Sequence, residues 1–143
     1  MEKLNERLIT KVLAHIKAFP EAYDQNDVAD SCSVTKGTPC GAIGCFGGWA
    51  VLLGFRKSER HDVAQGVDLS DARDLLGLEE NEANHLFATA SGNPKKDYKT
   101  IVKRLAEIRA ARKLYHDITK NQSVTGLTLE FPTVDGEALV YEF

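Results

Sequence analysis

From Thr38 to Gly54 the chain carries no charged side chain, and this stretch holds the only tryptophan, Trp49, and two of the three cysteines, Cys40 and Cys45. A helix that is apolar on every side buries every side. A helix over about residues 42–53 must therefore lie at the centre, with the rest of the chain wrapped on it. The run is too short and too rich in glycine to span a bilayer. Gly44 and Gly48 stand one turn apart and form a strip against which another helix backbone can pack. Each glycine costs a helix about 1 kcal/mol relative to alanine, so close packing is the reason to keep them.

The flanking segments predict a mainly α bundle closed by a little β structure. Leu4, Leu8, Ile9, Val12, Leu13, Ile16 and Phe19 recur at helical spacing over residues 3–19, and Pro20 ends the run. Residues 20–38 are polar and aperiodic, which reads as a long loop. A short helix spans 69–76, and Gly77-Leu78 after it suits a Schellman turn. A second short helix begins in the acidic run Glu79-Glu80-Asn81-Glu82 and buries Ala83, Leu86 and Phe87. Asn93 then reads as an N-cap and Pro94 as the first residue of a long helix to about residue 120. Tyr98, Ile101, Val102, Leu105, Ile108, Tyr115 and Ile118 mark its inner face. Lys103, Arg104, Arg109, Arg112 and Lys113 make its outside basic. In the tail, Leu127, Leu129 and Phe131, then Leu139, Tyr141 and Phe143, alternate with polar residues around an Asp135-Gly136 turn. That is a β-hairpin. The expected architecture is one domain over 1–143, helical over 1–120 with a hairpin tail over 123–143. A lone hairpin is marginal in water, so it lies on the helices or pairs edge to edge with a second copy as a homodimer.

The net charge of −3 argues against a nucleic-acid partner, because phosphate binding needs a concentrated basic surface. An odd number of cysteines and no signal-peptide pattern point to free thiols in a cytoplasm. Cys40 and Cys45 stand near a helix start, where the dipole favours thiolate. With His61, His85 or His116 as the base, either could serve a Cys-dependent hydrolase or transferase. Free cysteine, however, more often packs as a small buried hydrophobe. Cys32, Cys40, Cys45 and His61 could together bind zinc, but their spacings lack the paired Cys-x2-Cys knuckles of structural sites. The two short helices invite a helix-turn-helix reading. Glu79, Glu80 and Glu82 on the second would repel phosphates, leaving the basic side of 95–113 as the nucleic-acid candidate. No cofactor motif is present.

The segment Pro39-Cys40-Gly41-Ala42-Ile43-Gly44-Cys45-Phe46-Gly47-Gly48-Trp49-Ala50-Val51-Leu52-Leu53 resembles the CGTxGCxAGWAVLL signature of small helical proteins from actinobacterial phages, actinobacteria and cyanobacteria. Upstream Phe19-Pro20-Glu21 and Tyr23-Asp24-Gln25 are similar to the segment before that signature. Downstream Ala72, Leu75-Leu76-Gly77-Leu78, Glu82-Ala83 and Leu86-Phe87 are similar to the segment after it. The likeness covers about residues 8–105, with Gly47 where alanine is usual. It implies a helical fold and a mobile-element origin, with the host cytoplasm as the setting, and it transfers no catalytic residue. The expected function is that of a non-enzymatic accessory protein binding a host or phage protein. Asp24, Gln25, Lys103, Arg104, Arg109 and Arg112 are the candidate contacts.

Overall fold

A computed structural model describes residues 1–20, 45–54, 69–87, 93–121, 125–134 and 137–143. Its described elements are five helices and one two-stranded antiparallel hairpin: α1 (Glu6–Ala18), α2 (Phe46–Gly54), α3 (Leu69–Leu76), α4 (Glu80–Phe87), α5 (Pro94–Asn121), β1 (Thr128–Phe131) and β2 (Leu139–Glu142). The fold is the mainly α bundle with a C-terminal hairpin that the patterning predicts. The expected loop after Pro20 and the Asp135-Gly136 turn lie outside the described residues.

Helix α2 is the buried centre. Phe46, Gly47, Gly48, Trp49, Ala50, Val51 and Leu52 are all inaccessible, and each large apolar side chain so buried contributes about 1.5–3 kcal/mol. It packs between α1 and α3. It begins at Phe46 rather than near residue 42, a correction with a local cause. Cys45 takes the cap position: its carbonyl accepts from Trp49 N–H at 3.0 Å and its Sγ accepts from Gly48 N–H at 3.3 Å. A side chain that satisfies a first-turn amide marks the boundary of a helix. Gly44 lies outside the described residues. A close approach is seen at Gly47, where a Cβ would stand 2.6 Å from Leu69 Cδ2 and 3.4 Å from Phe87. Side chains of α3 and α4, not a helix backbone, fill that space.

Helix α1 buries Leu8, Ile9, Val12 and Ile16 as its period requires, but Phe19 is exposed because the helix ends at Ala18, one residue earlier. Asn5 joins two helix ends. Its Oδ1 caps α1 by accepting from Leu8 N–H at 3.1 Å. Its own N–H and side-chain amide donate to the Leu76 and Leu75 carbonyls at 2.8 and 3.0 Å. The α3 end is the expected Schellman turn: Leu78 N–H reaches the Arg73 carbonyl, Gly77 N–H reaches Asp74, and Gly77 sits at φ +73°.

Asn93 caps α5 through bonds from Lys95 and Lys96 N–H at 3.1 and 3.3 Å. Its inner line is Ile101, Leu105, Ile108, Ala111 and Arg112, all buried. Val102, one position off that line, is exposed instead of buried. In the hairpin, Leu129 faces Tyr141 and Phe131 faces Leu139. Leu139 and Tyr141 enter the core, and β2 is the strand that lies on α4 and α5. Gly126, at φ +79°, donates to the Phe143 carbonyl while Phe143 N–H donates to Leu127. This is a bulge with glycine in its left-handed position, and it ends the ladder.

Candidate functional site

The most concentrated polar chemistry lies inside the molecule. Glu82 on α4 is 0% exposed and Arg112 on α5 is 5% exposed. Arg112 Nη2 and Nε reach the two carboxylate oxygens at 2.6 and 2.8 Å. Tyr141 Oη donates to the same carboxylate at 2.6 Å, and Glu79 N–H donates at 2.8 Å. The Glu79 bond is the reciprocal half of a capping box, which is why an acid stands at the third position of α4. An ionised carboxylate offers about four acceptor directions. Here all of them are filled by the chain itself. The rest of the guanidinium turns to backbone: Nη2 to the Gly77 carbonyl and Nη1 to the Glu2 carbonyl, both at 2.6 Å.

The electrostatics agree with a closed cluster. Burial and then the Glu82 hydrogen bond push the Tyr141 phenol well above its ordinary range. Burial alone would lower the Arg112 pKa, but the hydrogen bond and charge of Glu82 outweigh it and raise it. Neither group exchanges a proton near neutral pH in this setting. Arg112 therefore does not belong to the outer basic face where the sequence pattern places it. Glu82 is not a solvent-facing acid that would repel phosphate.

A second cluster joins α4, α5 and the hairpin tip. His85 Nε2 lies 3.2 Å from Glu107 Oε1, and Val134 N–H donates to Glu107 Oε2 at 3.0 Å. Arg104 Nη1 donates to the His85 carbonyl, so this residue is partly turned inward. Arg109 remains at the surface, where Nε and Nη2 hold both oxygens of Glu6 at 3.0 and 2.8 Å. That bond raises its pKa. His15 rests on Trp49 with ring centroids 4.2 Å apart, and burial lowers its pKa.

Of the predicted thiol and metal residues, Cys45 is described, while Cys32, Cys40 and His61, together with Asp24 and Gln25, lie outside the described residues. Cys45 is in no disulfide and is buried, 3% exposed. A helix N-terminus favours thiolate, but a nucleophile also needs access. Native Cys45 will therefore resist iodoacetamide, reacting at the rate at which the protein unfolds. Mass-spectrometric mapping of the alkylated peptide checks this, and rapid labelling of the folded chain at Cys45 would contradict it. Among the described residues no group of three or more His, Cys, Asp or Glu side chains is placed to hold a metal, and no helix is long and apolar enough to cross a membrane.

The exposed side of α5 has a different character. Val102 and Leu114 are 40% and 41% exposed. Ala106 and Ala110 lie between them on an exposed ridge of residues four apart. Lys95, Lys96, Lys99, Lys103, Lys113 and Lys120 surround that ridge, and Asp117 is the one exposed acid among the described residues of the helix.

No protein-family model, curated protein or solved structure matches the chain.

Sequence reasoning missed Glu82, His85, Glu107 and Tyr141 as polar groups of the interior. For Arg112 a signal was present. It falls four residues after Ile108 and seven after Leu105, on the inner line of α5, and a cation on a buried line requires a buried partner.

Proposed function

We propose that this chain is a non-enzymatic accessory protein whose α5 outer face docks on an acidic, partly apolar surface of a protein partner. The observation that carries this reading is the Val102–Ala106–Ala110–Leu114 ridge set among lysines. Apolar residues at the centre of a charged patch are what a protein contact requires, with desolvated side chains inside and steering charges at the rim. Lysines alone would serve a phosphate backbone equally well. The exposed valine and leucine favour protein over nucleic acid. The likeness of residues 39–53 to the phage and actinobacterial signature supports a mobile-element setting and a host or phage partner.

The test is quantitative capture from host and phage-infected lysates with the full chain as bait. Val102→Glu and Leu114→Glu each weaken capture of the same partner at least about tenfold, the equivalent of 1.4 kcal/mol. Both positions are exposed, so the fold tolerates the change. Lys120→Glu, at the far end of the helix, has a smaller effect. Equal capture by all variants would contradict the proposal. So would a salt-sensitive gel shift with RNA or DNA that is indifferent to Val102→Glu, which would move the reading to nucleic acid.

A further inference from the structure

The hairpin has two edges, and among the described residues the helices use only one of them. Asn81 on α4 donates its side-chain amide to the Val140 carbonyl, so the outer edge of β2 is engaged. β2 also lies on α4 and α5. Among the described residues, strand β1 pairs with β2 and with no third strand. Antiparallel ladders alternate hydrogen-bonded and non-hydrogen-bonded pairs. Phe143 exchanges bonds with Gly126 and Leu127. The Thr128–Glu142 and Glu130–Val140 pairs are then the non-hydrogen-bonded ones. The Val140 carbonyl turning out to Asn81 agrees with that phase. Thr128 and Glu130 therefore aim their N–H and carbonyl groups away from β2, along an edge that no other described strand pairs with.

We infer that the β1 edge is a homodimer contact, in which a second copy of this chain adds its own β1 antiparallel across a two-fold axis at Leu129. Sequence and pleat select this register. Directly opposed residues share a face, so Leu127, Leu129 and Phe131 must meet odd-numbered partners. Centring on Leu129 sets Thr128 against Glu130 of the second copy on both sides of the axis. All four outward N–H groups then find carbonyls, and each threonine hydroxyl faces a carboxylate. Centring on Glu130 would place two like charges directly opposite and would call on Pro132, which has no N–H to give.

The same register explains a second observation. Leu127 is 58% exposed, and the Leu129-centred pairing covers it with Phe131 of the second copy. The core face then becomes a row of Leu127 on Phe131, Leu129 on Leu129 and Phe131 on Leu127. The bulge at Gly126–Leu127 closes one end of the edge and leaves residues 128–131 regular. Pro132 closes the other. A contact of this length is a reversible one. It uses a different surface from the α5 ridge, and its success or failure does not depend on the proposed partner.

Sedimentation equilibrium of the full chain tests it, read together with cysteine cross-linking in a background where Cys32 and Cys40 are serine and the buried Cys45 is kept. The wild type shows a concentration-dependent monomer–dimer equilibrium. Leu127→Lys, at an exposed position with no core contact to lose, weakens it at least about tenfold. Under mild oxidation Leu129→Cys links two chains through its own position, and Glu130→Cys does not. A wild type that stays monomeric to its solubility limit overturns the inference. So does a dimer indifferent to Leu127→Lys, or cross-linking at position 130 in place of 129.

Discussion

Arg112→Met lowers the free energy of unfolding by about 3–5 kcal/mol, measured by urea denaturation at neutral pH. The loss arises from what the substitution leaves behind. Glu82 remains fully buried with bonds from Tyr141 and Glu79 but without its counter-charge. The Gly77 carbonyl loses its donor as well. Breaking one side of a buried pair costs far more than the pair contributes net, because the remaining charge cannot return to water. Arg112→Lys recovers little. A single ammonium cannot meet both Glu82 oxygens and the Gly77 and Glu2 carbonyls in the geometry that a guanidinium fork provides.

Gly77→Ala is the second large effect, about 2–5 kcal/mol. The residue sits at φ +73°, where a Cβ costs about 1–2 kcal/mol. A Cβ at this position would also stand against the Lys3 carbonyl oxygen, an atom of backbone that has no rotamer to escape into. Moving that backbone disturbs Asn5, which caps α1 and bonds to Leu75 and Leu76. Overpacking of this kind adds about 1–3 kcal/mol. Thermal unfolding of Gly77→Ala beside Gly126→Ala separates the two contributions. Gly126 has a similar φ of +79° but open space around its Cβ position. Its alanine variant should lose the conformational part alone.

Much of the fold was legible because its signals are local. Gly77-Leu78 wrote the Schellman turn, Asn93-Pro94 wrote the start of α5, and alternation from Leu127 to Phe131 wrote a strand. Each depends on residues within a few positions of one another. The polar centre was not legible for the converse reason. Glu82 and Arg112 are thirty positions apart, and a charged side chain taken by itself is assigned to the surface. Tyr141 reads as an apolar member of its strand, and its hydroxyl has no role until Glu82 stands beside it. Val102 fails in the other direction: its type is apolar, but its position is one step off the inner line. These two misreadings change the functional picture together. Arg112 leaves the outer face and Val102 joins it, which turns a basic helix surface into a mixed ridge suited to a protein contact.

Cys45 shows how a chemical motif resolves into packing. A thiol at a helix start suggests reactivity. The structure uses the sulfur as an acceptor for Gly48 N–H and closes the core over it. The polar residues of the interior join the N-terminal segment, the α3–α4 turn, α5 and the hairpin, while the α5 ridge is exposed and, among the described residues, β1 pairs with β2 alone.

A double-mutant cycle on Glu82→Leu and Arg112→Met tests this account most directly, with unfolding free energies from urea denaturation. If the cluster is closed by the chain itself, each single variant is strongly destabilised and the double variant regains stability relative to either. The coupling between the two positions is then about 2–3 kcal/mol. If the losses simply add, Glu82 and Arg112 do not act as a pair, and the claim that they form the structural junction of this fold is contradicted.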